Sequence, residues 1–190
     1  MKTARGLCVA ALLLTGLGLV GCHKSGTAAK MQPPVRPAEL DRLEAFIGSW
    51  QGTAEIRVPG SDKVVTGSGV NSVTWEADRW VLVERSEGMV GDDSRFAGLQ
   101  VWVWDAKAGK YRTYYFDNAG GISEGTVKYD DTTATWHMKW TNRNTTTGER
   151  TVGERTVRMP DDVTWEWDHT EWDGFKLVKS MEMKGVSRKK

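Results

Sequence analysis

From Trp50 onwards, the sequence is a succession of short runs of β-forming residues, each closed by residues that favour turns. Pro59-Gly60, Gly91-Asp92 and Asp173-Gly174 are examples of these turns, and Asp173-Gly174 predicts a two-residue hairpin. The runs predict ten strands, at 50–58, 63–75, 80–87, 96–104, 110–116, 122–129, 134–141, 150–158, 163–171 and 175–186. Ten short strands joined by tight turns predict an all-β fold, a single antiparallel up-and-down β-barrel, because closure leaves no strand edge exposed. A β-sandwich is the alternative.

One helical pattern precedes the strands. Leu40, Leu43, Phe46 and Ile47 recur at helical spacing, and Gly48 follows them. The sequence therefore predicts a short helix that runs directly into the first strand.

The N-terminus has the pattern of an export signal. Lys2 and Arg5 precede an uncharged run over 6–20, and Leu19-Val20-Gly21 leads directly to Cys22. This arrangement resembles the bacterial lipobox, in which the Cys is lipidated and becomes the mature N-terminus. A transmembrane helix is the alternative, but the run is shorter than the ~20 apolar residues of a span and contains several Gly. We expect a lipoprotein signal peptide over 1–21.

Residues 22–37 are polar and interrupted by Pro, which predicts a tether between the lipidated Cys22 and a domain over 38–188. Acyl chains on Cys22 would anchor that domain to a membrane. His23 is not the Asp that resembles an inner-membrane retention signal. We therefore expect a bacterial envelope protein, at the outer membrane facing the periplasm.

Charge and cysteine content exclude two kinds of protein. The chain has 26 basic and 25 acidic residues and no basic tract, which argues against nucleic-acid binding. Its two cysteines are Cys8, removed with the signal peptide, and Cys22, blocked by lipid. We expect a domain without a disulfide, stabilised by its hydrophobic core.

Ten Trp residues are the most unusual feature of the composition. Many alternate with polar residues, so they share one face of a strand. Three of the predicted strands, at 134–141, 163–171 and 175–186, would together form one inner wall. The candidate ligand-binding residues on it are Trp136, Met138, Trp140, Trp165, Trp167, His169, Lys179 and Met181. Phe175 and Met183 are predicted on the same face. The strand over 96–104 is apolar on both faces, which leaves the orientation of Trp102 and Trp104 open.

Three polar side chains are candidates for the interior: His169, Lys179 and Tyr115. A buried amine or imidazole needs a partner. For Lys179 the partner is either a neighbouring Glu or a ligand carboxylate, and the Glu is favoured because charges are seldom unpaired inside proteins.

The short helix, Gly48-Ser49-Trp50 at the first strand and Arg188 after the last strand together resemble the calycin superfamily of lipocalins and fatty-acid-binding proteins. The stretches at 96–121 and 171–188 also look like calycin-like bacterial lipoproteins of domain-of-unknown-function family 1579. The resemblance implies that Trp50 closes one end of the barrel and packs beneath Arg188. It also implies a small hydrophobic or amphipathic ligand, such as the fatty acids that some relatives bind.

No cofactor is expected. One calycin-like branch binds haem through a His close to the C-terminus, but no His follows His169 here. The three His residues also lack the spacing of metal ligands.

The sequence offers little for catalysis. No Cys is free, and pairs of carboxylates such as Asp130-Asp131 fall in predicted turns. We therefore expect a binding protein rather than an enzyme.

Two functions remain open. One is a membrane-anchored lipoprotein that binds a small ligand inside its barrel. The other is a structural or interaction lipoprotein with a filled barrel, in which Trp102 or Trp172 is exposed to an unidentified protein partner or a glycan.

A tandem repeat, Gly148–Val152 followed by Gly153–Val157, reads GERTV twice. Because its period is odd, equivalent residues of the two copies should face opposite sides of a strand.

Overall fold

The computed structural model describes residues 34–176 and 178–190. The predicted signal peptide and Cys22 lie outside these residues, as does the tether up to residue 33. One short 3₁₀ helix, Ala38–Phe46, precedes ten strands. These are β1 Gly48–Arg57, β2 Val64–Glu76, β3 Val81–Val90, β4 Ser94–Asp105, β5 Lys110–Asp117, β6 Gly121–Asp130, β7 Thr135–Asn144, β8 Arg150–Asp161, β9 Thr164–Asp173 and β10 Lys179–Lys189.

The strands form a closed antiparallel barrel in which each strand pairs with its neighbours in sequence and β10 pairs with β1. The predicted barrel is confirmed and the β-sandwich alternative is wrong. Residues directly opposite each other in an antiparallel pair lie on the same face. The register therefore shows which side chains face the lumen, starting from Trp50, which pairs with Asn71 on β2 and Lys189 on β10.

The helix covers one end of the barrel, called here the helix end. Leu40, Leu43 and Phe46 are all buried and three residues apart, which is the repeat of a 3₁₀ helix and puts them on one side. They pack onto inward side chains of the strands to form the core, whose buried strand members are Trp50, Val73, Leu82, Trp102, Tyr111, Val127, Trp136, Met138, Val157 and Trp165.

Three aromatic side chains of the strands donate hydrogen bonds to the helix. Trp50 Nε1 donates to the Phe46 carbonyl at 2.8 Å, and the Tyr111 hydroxyl donates to the Glu39 carbonyl at 2.6 Å. Burial raises the pKa of Tyr111 to about 12, so its hydroxyl keeps the proton that it donates. Trp75 Nε1 donates to Glu44 Oε1 at 2.9 Å.

Trp50 occupies the position that the resemblance implied, but its cation is a different residue. The ring is 1% exposed and its centroid lies 4.2 Å from that of Trp165. Lys189 Nζ lies 5.4 Å from the ring centroid, whereas Arg188 is exposed on the outer face. The assignment of Arg188 to barrel closure is wrong because the β10 register turns Lys189, not Arg188, towards the interior.

The backbone angle at position 48 and the nearby side chain of Lys189 together explain why this residue is glycine. Its φ of +133° is one that side-chain-bearing residues rarely adopt, and a Cβ there would lie 2.7 Å from Lys189 Cε. The chain therefore needs glycine where Lys189 crosses the start of β1.

The last hairpin differs from the prediction. Asp173 does not begin a two-residue turn; its Oδ1 accepts hydrogen bonds from the Phe175 and Lys176 amides at 2.8 Å, and its own amide donates to the Val178 carbonyl. Phe175 is 75% exposed in this longer turn instead of facing the interior. β10 begins at Lys179, and its pairing with β9 shifts between Lys179 and Met181.

The two repeat copies face opposite sides where they share β8, as predicted. In the second copy Gly153, Arg155 and Val157 face inward, opposite Trp140, Met138 and Trp136 of β7. In the first copy Gly148 lies in the preceding turn with a φ of +76°, and Arg150 is exposed on the outer face.

Within the described part of the chain, no helix has the length and apolar character needed to cross a membrane.

Candidate functional site in the barrel lumen

The barrel interior has two contrasting halves. The half at the helix end is the apolar core, whereas the half away from it, called here the far half, has polar side chains directed inward. Five ionisable or phenolic residues define what we call the lumen cluster: Glu84, Tyr115, Arg155, His169 and Glu171. The register places these residues on β3, β5, β8 and β9, so strands from both sides of the barrel contribute.

Arg155, His169 and Glu171 form a chain of hydrogen bonds. The Arg155 guanidinium lies 3.1 Å from His169 Nδ1, and His169 Nε2 lies 3.2 Å from Glu171 Oε1. Arginine can only donate, so Nδ1 must be the acceptor and the imidazole proton must lie on Nε2, which donates to Glu171. The geometry therefore requires a neutral imidazole.

The pKa of His169 agrees with that protonation state. Burial is the largest cause and lowers the pKa of His169 from its ordinary value of 6.5; the hydrogen bond to Glu171 opposes this shift, and the Arg155 charge adds to it. The ring is 6% exposed, so a protonated imidazole beside a guanidinium would be costly.

Glu84 faces Arg155 across the lumen without forming an ion pair with it. Its Oε1 accepts a hydrogen bond from Asn71 Nδ2 at 3.0 Å. Burial raises the pKa of Glu84, and the charge on Arg155 offsets part of that rise. Within residues 34–176 and 178–190, no carboxylate lies within 4.0 Å of the Arg155 guanidinium.

Aromatic rings line the wall around the lumen cluster. The guanidinium carbon of Arg155 lies 5.1 Å from the Trp167 ring centroid, and the Trp140 and His169 centroids are 4.8 Å apart. Stacking of this kind stabilises a desolvated guanidinium.

These rings lie against inward-facing glycines of neighbouring strands. A Cβ on Gly153 would come within 2.2 Å of Trp140, and one on Gly185 within 2.3 Å of Trp167. Gly98 stands in the same relation to Tyr115, at 2.3 Å. Because the rings occupy the space that a neighbouring side chain would take, they lie along the wall.

The structure divides the nine predicted ligand-binding residues into three groups. Trp136, Met138 and Trp165 are buried in the core of the helix end. The second group occupies inward positions in the far half and consists of Tyr115, Trp140, Trp167, His169 and Met181. The binding role assigned to these residues stays a prediction.

Lys179 belongs to the third group and lies outside the lumen. It is exposed at the start of β10 and pairs with Glu182. Its predicted inward orientation is wrong because the irregularity before Met181 breaks the alternation of faces. The Glu partner, which the sequence favoured over a ligand carboxylate, is the one observed.

The structure also settles the orientation of two tryptophans on β4. Trp102 is 3% exposed and packs at a centroid distance of 5.4 Å from Phe46, and Trp104 packs on Tyr111. Trp102 therefore cannot be the exposed aromatic of the interaction hypothesis. Trp172 is half-buried on the outer face, opposite Val152.

Three members of the lumen cluster, Glu84, Arg155 and Glu171, were not predicted from the sequence, although the first two could have been. Both carried a usable signal, since Glu84 is two residues after the buried Leu82 and Arg155 is two residues before the buried Val157. Each lies on the inward face by the same alternation that identified the tryptophans.

The hydrogen bonds of His169 disfavour the haem alternative. Both ring nitrogens of His169 already have protein partners, which leaves neither free for an iron atom. Among the described residues, no group of three or more His, Cys, Asp or Glu side chains is placed to hold a metal ion.

Two cavities lie on the outside of the barrel. The larger, of about 740 Å³, follows the outer faces of β1–β5 and is lined by outward side chains that include Val70, Arg85, Leu99 and Phe116. The smaller, of about 320 Å³, adjoins it on β1–β4. Neither is lined by a predicted ligand-binding residue.

Comparison with known proteins supports the fold. No protein-family model and no curated protein matches the sequence. The crystal structure of Rv2717c from M. tuberculosis is similar with a TM-score of 0.65 and 11% identity, over 82% of this chain and 99% of that one. The S-type phycobiliprotein lyase CPES from Guillardia theta is similar with a TM-score of 0.54 and 9% identity, over 82% and 94% of the two chains. The protein therefore shares the fold of these two structures, and in this chain that fold is a closed antiparallel barrel of ten strands.

Proposed function

We propose that the protein binds one small amphipathic molecule in the far half of its lumen. The apolar part of the ligand would lie against Trp140, Trp167 and Met181, and an acidic group would contact Arg155. Flat aromatic faces and adaptable Met side chains suit an apolar ligand of this kind.

The observation that carries this proposal is the position of Arg155. Its guanidinium faces the interior and its hydrogen-bond partner is the neutral His169. Glu84, the carboxylate with the largest electrostatic effect on it, accepts a hydrogen bond from Asn71 instead. Proteins seldom bury a charge without an anionic partner. A ligand carboxylate would provide one, and a raised pKa of Glu84 would let that side chain donate a hydrogen bond to the same ligand.

A second polar atom supports a ligand in this region. Thr151, on an inward position of β8 opposite Asn142, has a buried hydroxyl without a hydrogen-bond partner among the described residues. Buried polar atoms in native proteins usually have partners.

Native mass spectrometry of the gently purified protein tests the proposal. The expected result is an added mass that disappears on denaturation, is lost in Arg155→Met and is retained in Arg158→Met, an exposed arginine on the outer face of the same strand. A bare polypeptide mass, even after exposure to lipid extract, would contradict the proposal and favour the filled barrel of a structural or interaction lipoprotein.

We further propose that Cys22 anchors the protein in the bacterial envelope and that the chain is a distant relative of domain-of-unknown-function family 1579. Both rest on the sequence motifs described above. Incorporation of labelled palmitate into the wild type but not into Cys22→Ser is the expected result for the anchor. Equal labelling of the two chains would contradict it.

We also propose that the protein is not an enzyme. His169, the imidazole that could move a proton in the lumen, is engaged with Arg155 and Glu171 on both ring nitrogens. Recovery of a chemically altered ligand from the purified protein would contradict this.

A further inference from the structure

The far half of the lumen is accessible to solvent. A side chain that points into a closed barrel can be exposed only through the lumen, and the core closes the helix end of this barrel. Trp102, Trp136 and Trp165 in that core are between 3% and 5% exposed, whereas four inward rings of the far half are only half-buried. These rings are Phe96, Tyr115, Trp140 and Trp167. The far half therefore has an open interior with aromatic rings on its walls.

Phe96 was not among the predicted binding residues, and it faces the lumen from β4. The pairings place it opposite Gly88 of β3, which lies opposite Gly69 of β2. A Cβ on Gly88 would lie 2.6 Å from Phe96 Cε1, and one on Gly69 would lie 2.9 Å from its Cζ. The ring therefore lies across the backbone of two strands with its other face towards the lumen, as Tyr115 lies across Gly98. We call Phe96 and Tyr115 the β4–β5 rings.

The β4–β5 rings differ from the two tryptophans in what covers them. Trp167 already carries the Arg155 guanidinium, 5.1 Å from its ring centroid, and the Trp140 centroid lies 4.8 Å from that of His169. Among the described residues, no other aromatic ring and no cation stacks on either of the β4–β5 rings. Their faces are therefore available to a ligand.

Arg155 lies deeper in the barrel than the β4–β5 rings. Phe96 is close to the far end of β4, which begins at Ser94, whereas Arg155 is near the middle of β8. Burial raises the pKa of Tyr115 and the charge on Arg155 opposes that rise, so the phenol and the guanidinium share one interior. A ligand that enters from the far end and places an acidic group on Arg155 would have its remaining part beside the β4–β5 rings.

Two flat faces and one deeper cation favour a particular class of acid. Aromatic rings gain stacking energy with another aromatic system in addition to the burial of apolar surface. A rigid planar molecule also loses less conformational entropy on binding than a flexible chain does. Building on the proposed function, we propose that the ligand is a planar aromatic carboxylic acid, with its ring system stacked on Phe96 and Tyr115 and its carboxylate on Arg155.

Titration calorimetry with three acids tests this ligand class. 2-Naphthoic acid is planar, decahydro-2-naphthoic acid has the same skeleton without the π system, and undecanoic acid is a flexible chain with the same number of carbons. The purified full chain should bind 2-naphthoic acid roughly tenfold more tightly than either saturated acid, because only its rings can stack. 2-Naphthamide, which has the same ring system without the charge, should bind more weakly than 2-naphthoic acid.

A pair of variants assigns the preference to the lumen. Phe96→Leu keeps an apolar side chain but removes a flat face, so it should reduce the preference for 2-naphthoic acid over undecanoic acid severalfold. Phe116→Leu, on the outer face of β5 and 42% exposed, is the matched control and should leave that preference unchanged. The aromatic protons of bound 2-naphthoic acid should also shift upfield in NMR spectra, and less so in Phe96→Leu, because a stacked ring shields them.

Two results would overturn this ligand class and leave the proposed function intact. One is equal or tighter binding of undecanoic acid that is lost in Arg155→Met, and the other is an equal loss of preference in Phe116→Leu and Phe96→Leu. Failure of all three acids to bind would also overturn it, and the native mass spectrum of the purified protein then decides the proposed function separately. If circular dichroism shows that Phe96→Leu does not fold, Tyr115→Leu takes its place with the same expected result.

Discussion

Trp50 connects the helix, the first strand and the core. Its indole donates to the helix carbonyl of Phe46 while its ring packs on Trp165.

Trp50→Ala should therefore destabilise the protein strongly. Truncating a fully buried Trp removes its packing and leaves a cavity, which costs about 3–5 kcal/mol. Thermal unfolding followed by circular dichroism should show a large fall in Tm. Trp172→Ala, at a half-buried position on the outer face, is the control and should lower Tm much less. Equal Tm values for Trp50→Ala and the wild type would contradict the role of Trp50 in the core.

The cation above Trp50 gives a second prediction. Lys189→Ala should lower the free energy of unfolding by about 0.5–1 kcal/mol, the usual size of an exposed cation–π contact. Arg188→Ala should change it little, because Arg188 lies on the outer face. Urea unfolding of the two variants distinguishes these positions, and a larger loss in Arg188→Ala would favour the closure first expected from the sequence.

The neutral state of His169 predicts a pH dependence of stability. The pKa of His169 is lower in the folded protein than the ordinary 6.5, so the unfolded chain binds the proton more readily between the two values. Stability should be highest above about pH 6.5 and fall as the pH drops towards the folded pKa.

His169→Gln should remove this part of the pH dependence, since an amide does not titrate. The measurement is urea unfolding of both proteins from pH 8 to pH 5. Glu84 acts in the opposite direction, because its raised pKa makes the folded state bind more protons. The difference between the unfolding free energies of the two proteins at each pH gives the contribution of His169. Parallel pH curves would show that the imidazole is not buried in its neutral state.

At the residue scale, alternation within strands located most of the inward side chains. It placed Trp165, Trp167 and His169 correctly because β9 is regular between Thr164 and Asp173. It failed for Lys179, which lies between a longer turn and a shifted pairing, whereas the assignment of Arg188 came from the family resemblance and ran against the alternation. Such irregularities depend on backbone hydrogen bonds, here those of Asp173, and residue type alone does not specify them.

At the level of the strand, a glycine on one strand leaves the space that an aromatic ring on the neighbouring strand fills. Trp140 on β7 lies against Gly153 on β8, and Trp167 on β9 lies against Gly185 on β10. A side chain at either glycine would have to displace a ring towards the lumen.

Gly153→Ala should destabilise the protein by about 1–3 kcal/mol, because its Cβ would lie 2.2 Å from Trp140. Gly67→Ala is a matched control, an inward glycine of β2 whose added Cβ would have its nearest neighbour at 3.4 Å. Urea unfolding should separate the two variants, and tryptophan fluorescence should change only in Gly153→Ala. Equal stabilities would mean that Trp140 moves without cost.

The sequence also left the helix type and the outer wall unexplained. The spacing of Leu40, Leu43 and Phe46 fits both an α-helix and a 3₁₀ helix over so short a span. The apolar outer face of β4 was visible as a strand with two apolar faces, but only the pairing shows that this surface continues onto Phe116 of β5 and Ile122 of β6.

For the whole molecule, the closing contact is the pairing of β1 with β10. Trp50 and Lys189 are opposite each other although 139 residues separate them in the sequence. The number and order of strands were predictable because turn residues divide the chain regularly. Closure itself was inferred from the cost of free edges, whereas the register in which β1 pairs with β10 was beyond the sequence.

A chain ending after Lys179 should aggregate. It would lack β10 and leave β1 and β9 with unpaired backbone groups along their edges. A chain ending after Arg188 is the control and keeps most of β10. Soluble yield and light scattering should separate the two truncated chains. A soluble monomer of the shorter chain with a native near-UV spectrum would contradict the importance of the β1–β10 pairing.

The repeated sequence of β8 allows an alternative, non-native pairing register during folding. If β8 slid by five residues, Gly148, Arg150 and Val152 would occupy the inward positions of Gly153, Arg155 and Val157, and the lumen would meet the same three side chains. Beyond them, Glu154 would replace Met159, which packs against the core, and would bring an unpaired carboxylate into an apolar environment. The inward residues of the repeat are therefore the same in both registers. The side chain of Met159 is what makes the native register more stable than the shifted one.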